Sequence, residues 1–169
     1  MLIDALISQW SDVRSGLIEE VSLIPADRFS FQPSPECRTV TQLIQHIVET
    51  QKTLTGEVCK PNTNFGQGFP QLIAEHAPGV SSITDKDGLI KLLSDSMEQG
   101  EATIRNFGED GLQTTMMGFS GKEGTKYYML NFSMSHEMYH RGQITVYQRM
   151  LGIEPALTTR LKKMFASRG

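Results

Sequence analysis

The chain has 169 residues, 16 of them Lys or Arg and 19 Asp or Glu, for a formal charge of −3, with 38% hydrophobic and 21% charged residues. That is the make-up of a globular chain long enough to bury a core without disulfides, and a single domain over 1–169 is expected. No apolar run is long enough to cross a bilayer, the acidic balance argues against a nucleic-acid partner, and MLIDALISQW, with Asp4 inside its apolar run, does not read as a secretory leader.

The hydrophobic spacing is helical almost throughout. Ile3, Leu6, Trp10, Val13, Leu17, Val21 and Ile24 mark one face of a first helix, which Pro25 ends. PADRFSFQPSPEC follows as a loop. A second helix opens at Thr39, with Gln42 three places on as a capping box. It carries the stripe Val40, Leu43, Ile47, Leu54 and Val58, and Gly56 weakens its last turn. Residues 60–84 form a long connection rich in Asn, Gly and Pro, with a helical turn expected at Gln71–His76. A third helix starts near Thr84–Asp87, runs through Leu89, Leu93, Met97, Ile104 and Phe107, and closes at Gly108. The stretch 108–124 is Gly-rich, with MMGF as a short extended piece and no convincing strand. The fourth helix, about 124–151, is the longest, and Gly152 and Pro155 punctuate its end. LTTRLKKMFASRG is a short basic amphipathic tail.

Four long helices, each with one apolar stripe, predict an all-α four-helix bundle. The long second-to-third connection permits up-down-down-up topology as well as a simple meander. The two cysteines, Cys37 and Cys59, point to a reducing compartment, which makes the cytoplasm the expected location. Both are read as packing residues, and the methionines at 116, 117, 129, 134 and 138 as core and interface filler.

Histidines interrupt the expected core. The inward stripe of the fourth helix reads Met129, Phe132, His136, His140, Gln143/Ile144, Tyr147 and Leu151. A buried polar group costs roughly 1–3 kcal/mol without a partner. Two imidazoles at i and i+4 resolve that cost by sharing one cation, each able to reach it with a bond of about 2.0–2.1 Å. His46, beside Ile47 on the second helix, is the third candidate ligand. Three histidines leave coordination positions open, the mark of a catalytic site. Divalent Zn, Ni, Fe, Co and Mn all suit such donors. Glu49, one turn beyond His46, reads as a surface acid or as an added partner of the site, and His76 reads as surface.

His136-Glu137-Met138-Tyr139-His140 also spells HExxH, the zinc-peptidase helix. The later ligands of such enzymes are absent at their usual offsets, and Glu137 lies about 100° from His136, off the inward stripe. Arg141 is open to two readings, a pair with an acid on a neighbouring helix or at a subunit contact, and an anion contact for cofactor or substrate. Gln143, back on the inward face, is placed to orient a ligand histidine or a bound molecule.

His136, the block His140-Arg141-Gly142-Gln143 with ITVYQRMLGIEP, His46 in LIQHIVETQ, and the proline-containing loop before Thr39 together resemble the DinB-like family. The resemblance covers nearly the whole chain. It implies an up-down-down-up bundle, a divalent metal held by His46, His136 and His140, and often a homodimer. It also implies a small-molecule substrate, since characterised relatives include transferases and isomerases that use bacillithiol, mycothiol or glutathione. The expected function is therefore a metal-dependent transferase that activates a low-molecular-weight thiol against a small electrophile. A hydrolase acting through metal-bound water and a non-catalytic metal-binding stress protein are the alternatives.

Overall fold

The computed structural model describes residues 1–167. In chain order the elements are α1 (Leu2–Leu23), α2 (Val40–Val58), α3 (Phe69–His76), α4 (Lys86–Phe107), α5 (Glu109–Gln113), β1 (Thr115–Met117), β2 (Glu123–Thr125), α6 (Lys126–Met150) and α7 (Ala156–Ala166). The boundaries follow from local chemistry. Thr39 and Gln42 close a reciprocal capping box at the head of α2, with the Gln42 amide donating to Thr39 Oγ1 at 3.1 Å and the Thr39 amide to Gln42 Oε1 at 3.0 Å. Asp85 and Thr125 cap α4 and α6 by accepting from the amides of Gly88 and Tyr128. Gly108 separates α4 from α5 at φ +83°, a conformation that favours glycine. The expected extended piece at MMGF is real, but it is one arm of a small antiparallel hairpin pairing Thr115 with Thr125 and Met117 with Glu123. At three residues each, these strands are too short for alternation to show in the sequence.

The four long helices form a bundle in which α1 and α2 each pack on both α4 and α6. Their contacts fix the directions. Asp4 meets Arg105 and Arg14 meets Leu93 and Ser96, so α1 and α4 run antiparallel. Arg14 meets Glu137 and Gln148 donates to the Glu20 carbonyl, so α1 and α6 run parallel. Tyr147 reaches the Arg38 carbonyl and Lys126 that of Lys60, so α2 and α6 run antiparallel. The order is up-down-down-up.

The apolar core comes in two halves. One gathers Leu17, Val21, Val40, Leu43, Leu93 and Ile144. The other gathers Leu6, Trp10, Leu54, Met97, Leu130 and Met134. A polar layer crosses the bundle between them: Arg14 from α1, Gln51 from α2, Ser96 from α4 and Glu137 from α6, all buried. Arg14 and Glu137 are each 1% exposed. Arg14 donates to Glu137 Oε1 from Nε at 2.5 Å and to Oε2 from Nη2 at 2.9 Å, and Trp10 Nε1 adds a third bond to Oε2 at 3.0 Å. Its Nη1 serves the Leu93 carbonyl and Ser96 Oγ.

Several expectations about burial are corrected. Glu137 is part of the packed interior, because α6 packs against α1 as well as α2 and so buries a wider arc than one stripe. Phe132 instead stands 38% exposed, at the edge of that arc. His76 is not a surface residue: its side chain is 11% exposed and Nε2 lies 3.0 Å from Glu57 Oε2. Gly56 gives it the space, since a Cβ there would collide with the His76 ring. Among the methionines, 116, 129 and 134 are core, whereas Met117 and Met138 are exposed.

Candidate metal centre

α2 and α6 meet at His46, His136 and His140. His136 Nε2 lies 3.1 Å from His46 Nε2 and 3.0 Å from His140 Nε2, and one ligand atom from each ring falls within 4.8 Å of the others. Two nitrogens bound to one ion at about 2.0–2.1 Å sit about 2.9 Å apart at a right angle and about 3.4 Å apart at the tetrahedral angle. The two His136 spacings fall between these limits and the third pair lies within 4.8 Å, so the three rings form a candidate donor set for a single divalent ion.

The rings are also in the right protonation state. Burial first, then the Arg38 and His140 charges, together hold His46 down to about 4. Burial first, then His140, His46 and Arg38, together take His136 to about 3. His140 is lowered by burial, against the opposing influence of Gln143. All three are neutral at pH 7, as metal ligands must be. Gln143 Oε1 lies 2.7 Å from His140 Nδ1. An amide oxygen can only accept, so the Nδ1 proton is fixed there and the Nε2 lone pair faces the other two rings.

The remaining residues singled out in the sequence lie elsewhere. Arg141 extends to the α1 side of α6, where its guanidinium covers Gly16 and comes within 3.8 Å of Glu20 Oε1. Glu137 spends both oxygens on Arg14 and Trp10, so it is not free to act as the general base that HExxH suggests. Glu49 is half-buried and stands outside the three-ring group. Burial raises its pKa, and the Arg38 charge opposes the rise. A second cluster, Glu57, Glu75 and His76, is closed by Lys60, whose ammonium binds both carboxylates at 2.8 and 2.5 Å.

Two cavities flank the histidines. A cleft of about 700 Å³ is lined by Arg38, Gln42, Gln45, His46, Glu49 and Phe69. A second, of about 500 Å³, lies between the hairpin and α6 and is lined by Phe119, Tyr128, Met129 and Phe132. The Phe132 ring is 6.4 Å from the His136 ring, and Phe119 links the two spaces, with ring centroids 5.3 Å from Phe132 and 6.4 Å from Phe69. Arg38 was not among the residues the sequence singled out. It sits in a loop without periodicity. Its only signal is its place just before the Thr39 cap, about two helical turns from His46.

A parallel-and-antiparallel helical bundle with three imidazoles converging from two rods defines a class of helical bundles with a candidate three-histidine metal site. The chain belongs to the DinB family, whose model matches residues 2–168. It is similar to a crystal structure of a DinB-like protein from Bacillus subtilis, at 22% identity and TM-score 0.69 over 88% of this chain and 92% of that one. A DinB-like protein from Bacillus cereus matches at 16% identity and TM-score 0.69 over 90% and 94%. A mycothiol-dependent maleylpyruvate isomerase matches at 16% identity and TM-score 0.67, over 84% of this chain but 60% of the isomerase. No curated protein matches the sequence. None of the described helices is long and apolar enough to cross a membrane.

Proposed function

We propose that the protein is a metal-dependent transferase that turns a low-molecular-weight thiol on a small electrophile. The observation that carries this reading is the convergence of three neutral imidazoles, His136 Nε2 lying 3.1 Å from His46 Nε2 and 3.0 Å from His140 Nε2, beside a cleft that reaches His46. A bound divalent ion supplies one thing, a thiol that is deprotonated at neutral pH. The chain does the rest. His46, His136 and His140 would hold the ion through one ring nitrogen each, a donor set small enough to admit a further ligand. Gln143 keeps His140 in the binding tautomer. Phe119 and Phe132 supply aromatic walls to the cavity beside His136, where a small electrophile would sit. In the transfer the S–H bond breaks with its proton going to water, a C–S bond forms, and the leaving group departs with the bonding pair. The mycothiol dependence of a solved structure of similar fold supports the thiol half of this reading.

The test has two parts. Elemental analysis of gently purified protein is expected to find one divalent ion per chain, lost in His136→Ala. Metal-loaded protein is then given a thiol with chlorodinitrobenzene, or nitrophenyl esters without thiol. Thioether formation that needs both metal and thiol supports the proposal. Ester hydrolysis alone replaces it with a hydrolase, and equal trace metal in wild type and His136→Ala removes its basis.

A further inference from the structure

One face of α2 supplies Gln42, Gln45, His46 and Glu49 to the 700 Å³ cleft, and Arg38 stands at its rim beside the helix cap. Most polar groups of this cleft are already engaged. Gln42 Oε1 accepts from the Thr39 amide. Gln45 Nε2 donates to the carbonyls of Ser81 and Ile83 at 3.1 and 2.9 Å. Glu36 accepts from Ser34 Oγ at 2.8 Å. The two exceptions are both charged. Among the described residues, neither the Arg38 guanidinium nor the Glu49 carboxylate makes a side-chain hydrogen bond or ion pair. They are near enough for Arg38 to counter the burial-driven rise in the Glu49 pKa, yet they do not pair with each other.

The Glu49 placement is unfavourable for the protein alone, because a half-buried carboxylate without partners loses hydration and regains nothing. The Arg38 guanidinium, exposed at the rim, has no acid paired with it and adds positive charge near the three imidazoles. A ligand carrying both signs of charge satisfies both residues at once. We propose that this cleft binds the thiol cosubstrate, and that the cosubstrate is zwitterionic: a cysteine-type molecule with its sulfur toward His46, its carboxylate against Arg38 and its ammonium against Glu49. This rests on the thiol reading above and adds the chemical class of the thiol and the two residues that select it.

The experiment uses full-length protein loaded with cobalt(II), whose thiolate complexes absorb in the near ultraviolet. Four probes are titrated: cysteine, mercaptopropionate, cysteamine and mercaptoethanol, which carry both charges, the negative one, the positive one and neither. Each is compared between wild type, Arg38→Gln and Glu49→Gln, so that chelation of cobalt by an amine cancels. Arg38→Gln is expected to weaken cysteine and mercaptopropionate by roughly five- to tenfold, as for a partly exposed charge-assisted pair, and to leave cysteamine and mercaptoethanol unchanged. Glu49→Gln is expected to weaken cysteine and cysteamine by a similar factor and to spare the other two. Equal effects of either variant on all four thiols, or none, overturn the proposal. So does loss of cobalt from Glu49→Gln, which would make Glu49 a metal ligand. Absence of a thiolate band with every probe overturns the underlying thiol reading instead, a distinct outcome.

Discussion

Replacing Glu137 by alanine separates two roles for a glutamate that lies between two candidate ligand histidines. In the structure it is a tie between α6 and α1, and its removal leaves Arg14 charged at 1% exposure with only the Leu93 carbonyl and Ser96 Oγ as partners. Breaking one side of a buried ion pair costs about 3–5 kcal/mol. The Trp10 N–H also loses its acceptor. A chain of this size shifts its Tm by about 2–4 °C per kcal/mol, so Glu137→Ala is expected to melt roughly 6–20 °C lower. Thermal unfolding followed by circular dichroism, with metal chelated throughout, measures this directly. The double variant Arg14→Met/Glu137→Leu removes both charges and is expected to recover much of the loss, because the cost lies in the uncompensated partner. The reasoning fails if Glu137→Ala melts within about 2 °C of wild type. A fall in metal affinity at unchanged Tm would place the carboxylate in the metal chemistry after all.

Further predictions follow from the same contacts. Gln143→Leu is expected to lower metal affinity by about 10–100-fold in a competitive chelator titration, because His140 loses the acceptor that fixes its tautomer. Gly100→Ala places a Cβ against the Trp10 ring. It is expected to cost about 1–3 kcal/mol in urea unfolding, despite the better helix propensity of alanine. For the metal-free protein, His46 and His136 titrate near 4 and 3 when folded but near 6.5 when unfolded. Below pH 6.5 the unfolded chain therefore binds more protons than the folded one. Stability is expected to fall as pH drops from 6.5 toward 3 and to be insensitive to these groups above 6.5. A flat Tm between pH 6.5 and 4 would contradict it.

The three converging histidines were legible because an imidazole inside an apolar 3.6-residue stripe breaks the pattern that defines the stripe, and His136, His140 and His46 each do so. Glu137 was not, since a single-stripe reading assigns one buried face to a helix, whereas α6 packs on two neighbours and its second buried face is completed by Arg14, over a hundred positions away. His76 escaped for a similar reason: its burial depends on the missing side chain of Gly56, a residue whose visible effect in sequence is only to weaken a helix. Arg38 lies in a loop, where no periodicity announces which way a side chain goes. The hairpin β1–β2 was seen as one extended piece, and its pairing depends on a register that two three-residue segments do not encode.

Glu20 gives the C-terminal helix a purpose that its exposed side chains conceal. This carboxylate is fully enclosed between rods, 0% exposed, and it receives the amides of Ala156 and Leu157 at 2.7 and 3.3 Å, the first turn of α7. No side chain of α7 is itself buried. The segment thus works as a stopper, contributing two backbone protons to an interior anion while its outer length rests against α1. A chain cut short after Gly152 would keep every rod of the bundle yet leave that enclosed acid with the longer Arg141 contact alone, 3.8 Å away.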